Sequence, residues 1–208
     1  MKKLFLLLLL GGLGVFSWYF FVTRKKPKDE TPVEQPLTVS NHSIEFNTFF
    51  NELLNSYYAL SESFVKWDTG AIRTNIFSLK NNLDSLQVEE LQKDPVIYQT
   101  AGTYVETMRN DVQIMMTAAD ITGKRRAFHS FSQGFYDFIR TIKYDQAKVY
   151  LQECPMAFND TETAQWLSKT NEIRNPFLGL YHPKYKSGML VCGETKDSVD
   201  FLSSPAKN

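Results

Sequence analysis

The chain has 208 residues, a length that suits one domain preceded by a short targeting or anchoring segment. Hydrophobic residues make up 43% of it and aromatic residues 14%, so the chain can bury a sizeable core. Its 23 basic and 23 acidic side chains cancel to a formal net charge of zero, which argues against a nucleic-acid partner because that would need a basic face.

An apolar run near the N-terminus, residues 4–22, has about the length that a helix needs to cross a bilayer. Trp18 and Tyr19 stand near its far end, where interfacial aromatic residues are common. Because no Ala-x-Ala-like cleavage site follows the run, we expect residues 1–26 to be an uncleaved anchor in the inner membrane. A cleaved signal peptide is the alternative.

Basic residues flank both ends of this run, so the positive-inside rule does not choose an orientation. The lysine-led start resembles a bacterial export signal, and we therefore expect the C-terminal body in the periplasm. A cytoplasmic body is the alternative. Residues 27–42 are polar and contain three prolines, which predicts a flexible linker between the membrane and the domain.

Four stretches within residues 43–146 carry apolar side chains at steps of three and four, the spacing of amphipathic helices. The positions that set the spacing are Phe46, Phe50, Leu53, Tyr57, Leu60 and Phe64, then Ile72, Ile76, Leu79 and Leu83, then Ile97, Ala101, Val105, Met108 and Val112, and finally Phe128, Phe131, Phe135, Phe138 and Ile142. Asp68 or Thr69 is an expected cap, as is Asp94 before Pro95. Short connections between these helices predict an antiparallel four-helix bundle.

Residues 147–197 contain many turn-forming residues and few periodic stretches, with a short strand expected at Val149-Tyr150-Leu151. From Cys154 onward we expect irregular structure, and over residues 198–208 a loose tail. The predicted fold class is therefore mainly α. A transmembrane helix precedes the bundle, and a small irregular cap with short β-strands packs on it.

The only two cysteines lie in this cap, each close to a methionine. Cys154 and Met156 form one cluster, and Met189 and Cys192 form the other. Two thiols and two thioethers are a soft ligand set that suits Cu(I), and thiolates also suit zinc. His182 lies between the clusters and is a further candidate ligand. A metal site requires that the two clusters fold back onto each other.

Two cysteines in an oxidising compartment usually form a disulfide instead. A Cys154–Cys192 bond would close a loop of about 39 residues and stabilise the fold by roughly 4 kcal/mol in the chain-entropy model. Such a bond would fasten a segment that has little core of its own. The spacing alone leaves a disulfide, metal ligation and free thiols all open.

The C-terminal third carries a series of short motifs. They are Cys154-Pro-Met-Ala-Phe158, Trp166-Leu-Ser168, Ile173-Arg-Asn-Pro-Phe177 with Gly179, and Met189-Leu-Val-Cys-Gly193. In order and composition they resemble the family catalogued as domain of unknown function 3347. Arg126, Phe128 and Ser132 fit positions of the helical half of that family. The family is found mainly in Bacteroidetes, in secreted or anchored proteins and fused to periplasmic adaptors of heavy-metal efflux pumps.

The resemblance implies a heavy-metal-binding accessory protein, with Cys154, Met156, Met189 and Cys192 as ligands and an efflux pump or another envelope protein as partner. Cys-Pro-Met is similar to a motif in metal-binding domains of efflux adaptors, where a histidine commonly follows. Here Ala157 follows instead. The alternative function is a metal-free envelope interaction module with a structural Cys154–Cys192 disulfide.

Catalytic motifs are missing from the sequence. No Gly-x-Ser-x-Gly, His-Glu-x-x-His or P-loop pattern occurs, and neither cysteine has a recognisable histidine partner, so we expect no enzyme activity. We expect His42 and the basic cluster 124–126 to be solvated. We expect Trp166 and Phe177 to pack the cap onto the helices.

Overall fold

The computed structural model describes residues 41–202, which are mainly helical. The elements are α1 (Ile44–Val65), α2 (Thr69–Asp84), a 3-10 helix (Val88–Lys93), α3 (Pro95–Thr117), α4 (Ile121–Ile142), β1 (Val149–Phe158), β2 (Glu162–Ser168) and β3 (Glu194–Val199). The expected class, mainly helical with short strands near the C-terminus, is confirmed. The predicted anchor and most of the predicted linker lie outside the described residues. Within residues 41–202, no helix combines the length and the apolar character needed to cross a bilayer.

Each of the four α-helices within residues 41–202 begins directly after a serine or aspartate whose side chain accepts a hydrogen bond from a main-chain N–H of the first turn. These caps are Ser43, Asp68, Asp94 and Asp120. The caps expected at Asp68 and Asp94 are confirmed, and each is worth about 1 kcal/mol. Asp120 caps α4 in the same way, since Gly123 N donates to Asp120 Oδ1 at 2.7 Å.

Aromatic rings join α1 to α4 at the centre of the hydrophobic core. The ring centroids of Tyr57 and Phe128 lie 5.0 Å apart, and those of Phe50 and Phe135 lie 5.7 Å apart. Helix α2 packs on α1, and α3 packs on both α2 and α4. The buried faces are those that the spacing of apolar residues predicted. The antiparallel bundle itself stays a prediction.

The three strands form one antiparallel sheet in the order β2-β1-β3. The turn between β1 and β2 contains Asn159 and Asp160, both with positive φ (51° and 62°), which these residue types tolerate in tight hairpins. β3 continues to Val199, which is buried and pairs with Val149. The ordered cap therefore extends two residues into the segment predicted as a loose tail.

Strand β1 continues through the Cys154 region, where the sequence predicted irregular structure. Pro155 has no N–H for a strand ladder, but the register of β1 with β2 shifts between Cys154 and Phe158. Such an irregularity is where a strand accommodates proline. As a result, Cys154 is held by strand pairing, opposite Ala164 of β2.

The side chain of His42, before the start of α1, is only 6% exposed, so the expectation that it is solvated was wrong. Its Nε2 lies 2.8 Å from the carbonyl oxygen of Ile142, and its ring stacks on Phe46 with centroids 4.7 Å apart. Its Nδ1 lies 3.5 Å from a carboxylate oxygen of Glu90. The last residue of the predicted linker therefore belongs to the folded domain.

The segment that follows β2 returns to the end of α1 at Gly179. This residue has a φ of +60°, and a β-carbon there would stand 2.5 Å from the carbonyl oxygen of Val65. The N–H of Leu180 donates to that same oxygen at 2.8 Å. Glycine is therefore needed for two reasons, the left-handed backbone and the close approach of the cap to α1.

We expect Gly179→Ala to lower the free energy of unfolding by about 2 kcal/mol or more, because alanine is strained in the left-handed region and also contacts Val65 too closely. Urea denaturation followed by circular dichroism measures the loss. Gly102→Ala in α3 is the matched control: no atom lies within 4 Å of a β-carbon there, so stability should rise by up to about 1 kcal/mol. Equal stability of the two variants would contradict the role of the Gly179 turn.

Candidate functional site

The two cysteines lie 38 residues apart in the sequence but meet where β1 faces the segment that leads into β3. Their Sγ atoms are 2.9 Å apart. Cys154 is fully buried, whereas Cys192 is half-buried. The separation is roughly 0.9 Å longer than a disulfide bond, so the two sulfurs are in direct contact without being bonded.

A tight turn brings Cys192 to this position. The N–H of Cys192 donates to the carbonyl oxygen of Met189 at 3.0 Å, which closes a turn over residues 189–192. Gly193 follows with a φ of +137°, and a β-carbon there would lie 2.6 Å from the carbonyl oxygen of Glu153. The glycine after Cys192 therefore lets the chain run directly against β1.

Asn175, which is fully buried, holds the same turn from its other side. Its Nδ2 donates to the carbonyl oxygen of Cys192 at 2.8 Å, and its main-chain N–H donates to that of Leu190 at 2.9 Å. Its Oδ1 accepts from the N–H groups of Phe177 and Leu178 at 2.8 and 3.0 Å. One side chain thus fixes both the Asn-Pro-Phe segment and the loop that carries Cys192.

The predicted thioether ligands, Met156 and Met189, are both half-buried and pack against the hydrophobic core. Met156 lies two positions after Cys154 in β1, with the exposed Pro155 between them. Met189 begins the turn that Cys192 ends. The structure therefore brings the two thiols into contact. One methionine lies in β1 with Cys154, and the other lies in the same turn as Cys192.

The Cys192 thiol is hard to ionise. Burial, together with the contact to Cys154, raises the pKa of Cys192 to about 12. The thiol is therefore protonated at neutral pH and is a poor nucleophile. A metal ion or a second sulfur bonded to Cys192 Sγ would replace the proton and would avoid the cost of burying a free thiolate.

The types of ligand atom at the thiol pair determine which metal ions it could bind. Across residues 41–202, no group of three or more His, Cys, Asp and Glu side chains is placed to hold one metal ion. Zinc normally takes four such ligands in a structural site. Two thiols supplemented by thioethers instead match the preference of Cu(I).

His182, the fifth predicted ligand, orders its own loop. Its Nδ1 accepts from the N–H groups of Lys184 and Tyr185, both at 3.2 Å. Its ring stacks on Tyr185, with centroids 5.1 Å apart, and meets Trp67 edge-on at 5.5 Å. Burial and the nearby Arg125 charge lower the pKa of His182, so the ring is neutral at neutral pH. With Nδ1 already an acceptor, any metal ligation would fall to Nε2.

Arg125 has a role that sequence reasoning missed, because a basic cluster at a helix start predicts solvated side chains. It is only 3% exposed. Its Nε donates to the carbonyl oxygen of Pro176 at 2.8 Å, and its Nη2 donates to that of Phe64 at 2.9 Å. Its guanidinium lies over the Trp67 ring, 3.9 Å from the centroid. The sequence feature that could have indicated its burial is its position three residues before Phe128, on the apolar face of α4.

Burial lowers the pKa of Arg125 to about 9, which still leaves the guanidinium charged at neutral pH. A buried charge is costly unless hydrogen bonds and polarisable groups replace its water. Two main-chain carbonyl groups and the face of Trp67 supply that replacement. Arg125 therefore connects the end of α1 with the segment that precedes Gly179.

Strand β2 is held on the helices by a buried hydroxyl. Tyr57 OH lies 2.6 Å from Ser132 Oγ and accepts from the N–H of Leu167 at 2.9 Å. Trp166 and Phe177 are buried close by, with ring centroids 6.0 Å apart. Phe177 also contacts Phe128 of α4, with ring centroids 6.2 Å apart, so the expectation that Phe177 packs the cap onto the helices is confirmed.

Comparison with known protein families gives a match that covers most of the helical part of the chain. Residues 53–147 match the model of the family described as Protein of unknown function (DUF3347). The resemblance to this family is confirmed over these residues. The DUF3347 match includes Tyr57, Arg125 and Ser132 but ends before Cys154, so the thiol pair lies outside it. No curated protein and no solved structure matches the chain.

We expect Asn175→Ala to expose the thiol pair, because the main-chain groups that the amide binds lose their partners and the 189–192 turn loosens. The rate at which a thiol-specific reagent modifies the reduced native protein should rise by about tenfold or more. The free energy of unfolding should fall by about 2–3 kcal/mol. Asn51→Ala, an exposed position in α1, is the matched control and should change neither quantity. An unchanged thiol rate in Asn175→Ala would show that the turn does not depend on the amide.

Proposed function

We propose that this DUF3347 protein is a heavy-metal-binding accessory protein of the bacterial envelope, which takes Cu(I) or a similarly soft ion at Cys154 and Cys192. The supporting observation is the contact of two thiols, 2.9 Å apart, with a half-buried methionine in each of their two elements. In this proposal residues 4–22 anchor the chain in the inner membrane, and the helices form an antiparallel bundle in the periplasm. The resemblance of the C-terminal motifs suggests metal efflux or homeostasis as the process.

The thiol pair fits a soft ion after a small adjustment. Metal–sulfur bonds of about 2.3 Å place two thiolates about 3.5–4 Å apart across a shared ion, so the Sγ atoms must separate by roughly 1 Å. Cys154 is held in the middle strand of the sheet, whereas Cys192 lies in a half-buried turn. We therefore expect the turn to move and to carry Met189 with it. Because binding displaces the proton of Cys192, the affinity increases as the pH rises towards the raised pKa.

We expect the reduced full-length chain to bind one Cu(I) ion, measured by competition with a chromophoric Cu(I) chelator. Cys154→Ser and Cys192→Ser should each abolish stoichiometric binding, while Met156→Leu and Met189→Leu should weaken it by about tenfold or more. Between about pH 6 and about pH 8 the affinity should rise by at least about tenfold per pH unit, because at least one proton leaves.

Met108→Leu is the matched control for the methionine variants, because Met108 is fully buried in α3. Its Cu(I) affinity should equal that of the unmodified chain. Stoichiometric binding that survives the loss of either cysteine would refute the proposed site. So would a full loss of binding in Met108→Leu, since that would indicate that the fold rather than the ligand set is being measured.

A structural disulfide between Cys154 and Cys192 is the second candidate, and it corresponds to a metal-free envelope interaction module. The observation that favours it is that the two Sγ atoms need to approach by only roughly 0.9 Å to reach bonding distance. The reaction removes two protons and two electrons from the thiol pair and passes them to a disulfide-containing oxidant. The bond would join β1 directly to the segment before β3.

If the disulfide is structural, the oxidised chain should be more stable than the reduced chain by up to about 4 kcal/mol in urea denaturation. The double variant Cys154→Ala, Cys192→Ala should then resemble the reduced chain under both conditions. Thiol-blocking reagents should leave both cysteines unmodified in protein taken from the envelope without reductant. Complete alkylation of both thiols under those conditions would contradict this candidate and favour the metal site.

A further inference from the structure

A groove of about 480 Å³ lies between α2, the end of α3 and the start of α4. We call it the α2–α4 groove. Its walls are formed mainly by apolar side chains, namely Ile72, Ile76, Phe77, Met115, Met116 and Ile121. Phe77 is 49% exposed, which is unusual for a large ring that has a core beside it. The volume falls in the range of about 300–1,000 Å³ that small-molecule sites occupy.

The rim of the α2–α4 groove carries cationic groups from two different helices. Arg73 projects from α2, where it is exposed, and Lys124 lies in the first turn of α4. Lys124 Nζ donates to the carbonyl oxygen of Met115 at 2.7 Å, a neutral partner that leaves its charge in place. The groove also reaches the N-terminus of α4, the positive end of that helix.

One acidic residue, Asp120, opposes these charges. Its Oδ1 accepts from the N–H of Gly123 at 2.7 Å, so the carboxylate is directed to the first turn of α4 as its cap. Two full cationic charges and a helix N-terminus therefore face one capping carboxylate. The net charge at the rim of the groove is therefore positive, while the walls are apolar.

We propose that the α2–α4 groove binds a free fatty acid, with the acyl chain along the apolar walls and the carboxylate between Arg73 and Lys124. Charge complementarity identifies the head group, because a cationic amphiphile would meet two like charges at the rim. The apolar walls identify the tail, since a small hydrophilic anion would leave Phe77 and Met116 in water. This site is formed by helices alone and does not depend on the thiol pair.

The test uses the full-length chain in phospholipid nanodiscs and a lauric acid analogue with a photoreactive group near the end of the acyl chain. After irradiation, mass spectrometry maps the attachment sites. Attachment should concentrate at Ile76, Phe77 and Met116, and unlabelled laurate should compete for it at a concentration about threefold lower than dodecanol. A photoreactive dodecanol should label the groove about threefold less, because it lacks the charge that the rim recognises.

Variants that change the charge at the rim should lower the labelling in two cases and raise it in a third. Arg73→Gln and Lys124→Gln should each lower labelling by about threefold. Asp120→Asn should raise it by a similar factor, because asparagine keeps the cap of α4 while removing the opposing charge. Lys169→Gln, an exposed position outside the groove, should have no effect. Circular dichroism of each variant confirms that the helices are retained.

Three results would overturn the proposal. Equal labelling by the acid and the alcohol would mean that the groove is only a hydrophobic surface. Preferential labelling by a photoreactive phospholipid would assign the groove to membrane contact. An absence of attachment within α2, α3 and α4 would show that the groove takes neither.

Discussion

A buried guanidinium that pairs with no carboxylate among residues 41–202 connects the C-terminal segment to the helices. Arg125 donates to the carbonyl oxygen of Phe64 at the end of α1 and to that of Pro176 in the returning segment. Carbonyl groups at a helix C-terminus carry partial negative charge, so the cation is stabilised there without an acidic residue. The Trp67 ring covers the guanidinium and excludes water. This arrangement fixes the distance between α1 and the segment that begins at Asn175, and the rest of the cap is built outward from that segment.

The position of the thiol pair depends on the segment that Arg125 holds against α1. Asn175 follows directly from the anchored segment and binds the carbonyl oxygen of Cys192, while the pairing of β1 with β2 places Cys154. Neither cysteine is positioned by residues near it in the sequence alone. Burial of the contact raises the pKa of Cys192. The two sulfurs are therefore held close together while the Cys192 thiol keeps its proton, and both candidate fates of the pair, ion binding and oxidation, require the removal of that proton.

The two proposed sites use different parts of the molecule. The α2–α4 groove is formed by residues 69–124, which fall inside the segment matched by the family model, whereas the thiol pair falls after it. The groove needs the packing of three helices, and the thiol pair needs the sheet and the turn that Asn175 holds. Loss of one site through a local substitution therefore leaves the physical basis of the other intact.

The sequence by itself determined the four helices, their caps at Asp68 and Asp94, and the buried face of each helix, because the spacing of apolar side chains and the capping residues are local signals. It did not reveal that β1 runs through Pro155, since a register shift breaks the alternation that identifies a strand. Only the tertiary structure decided that the side chains of Arg125 and His42 are buried and that Cys154 and Cys192 are in contact. Those outcomes rest on pairings across 100, 61 and 38 residues of sequence, and no local pattern records which distant carbonyl or sulfur a side chain will meet.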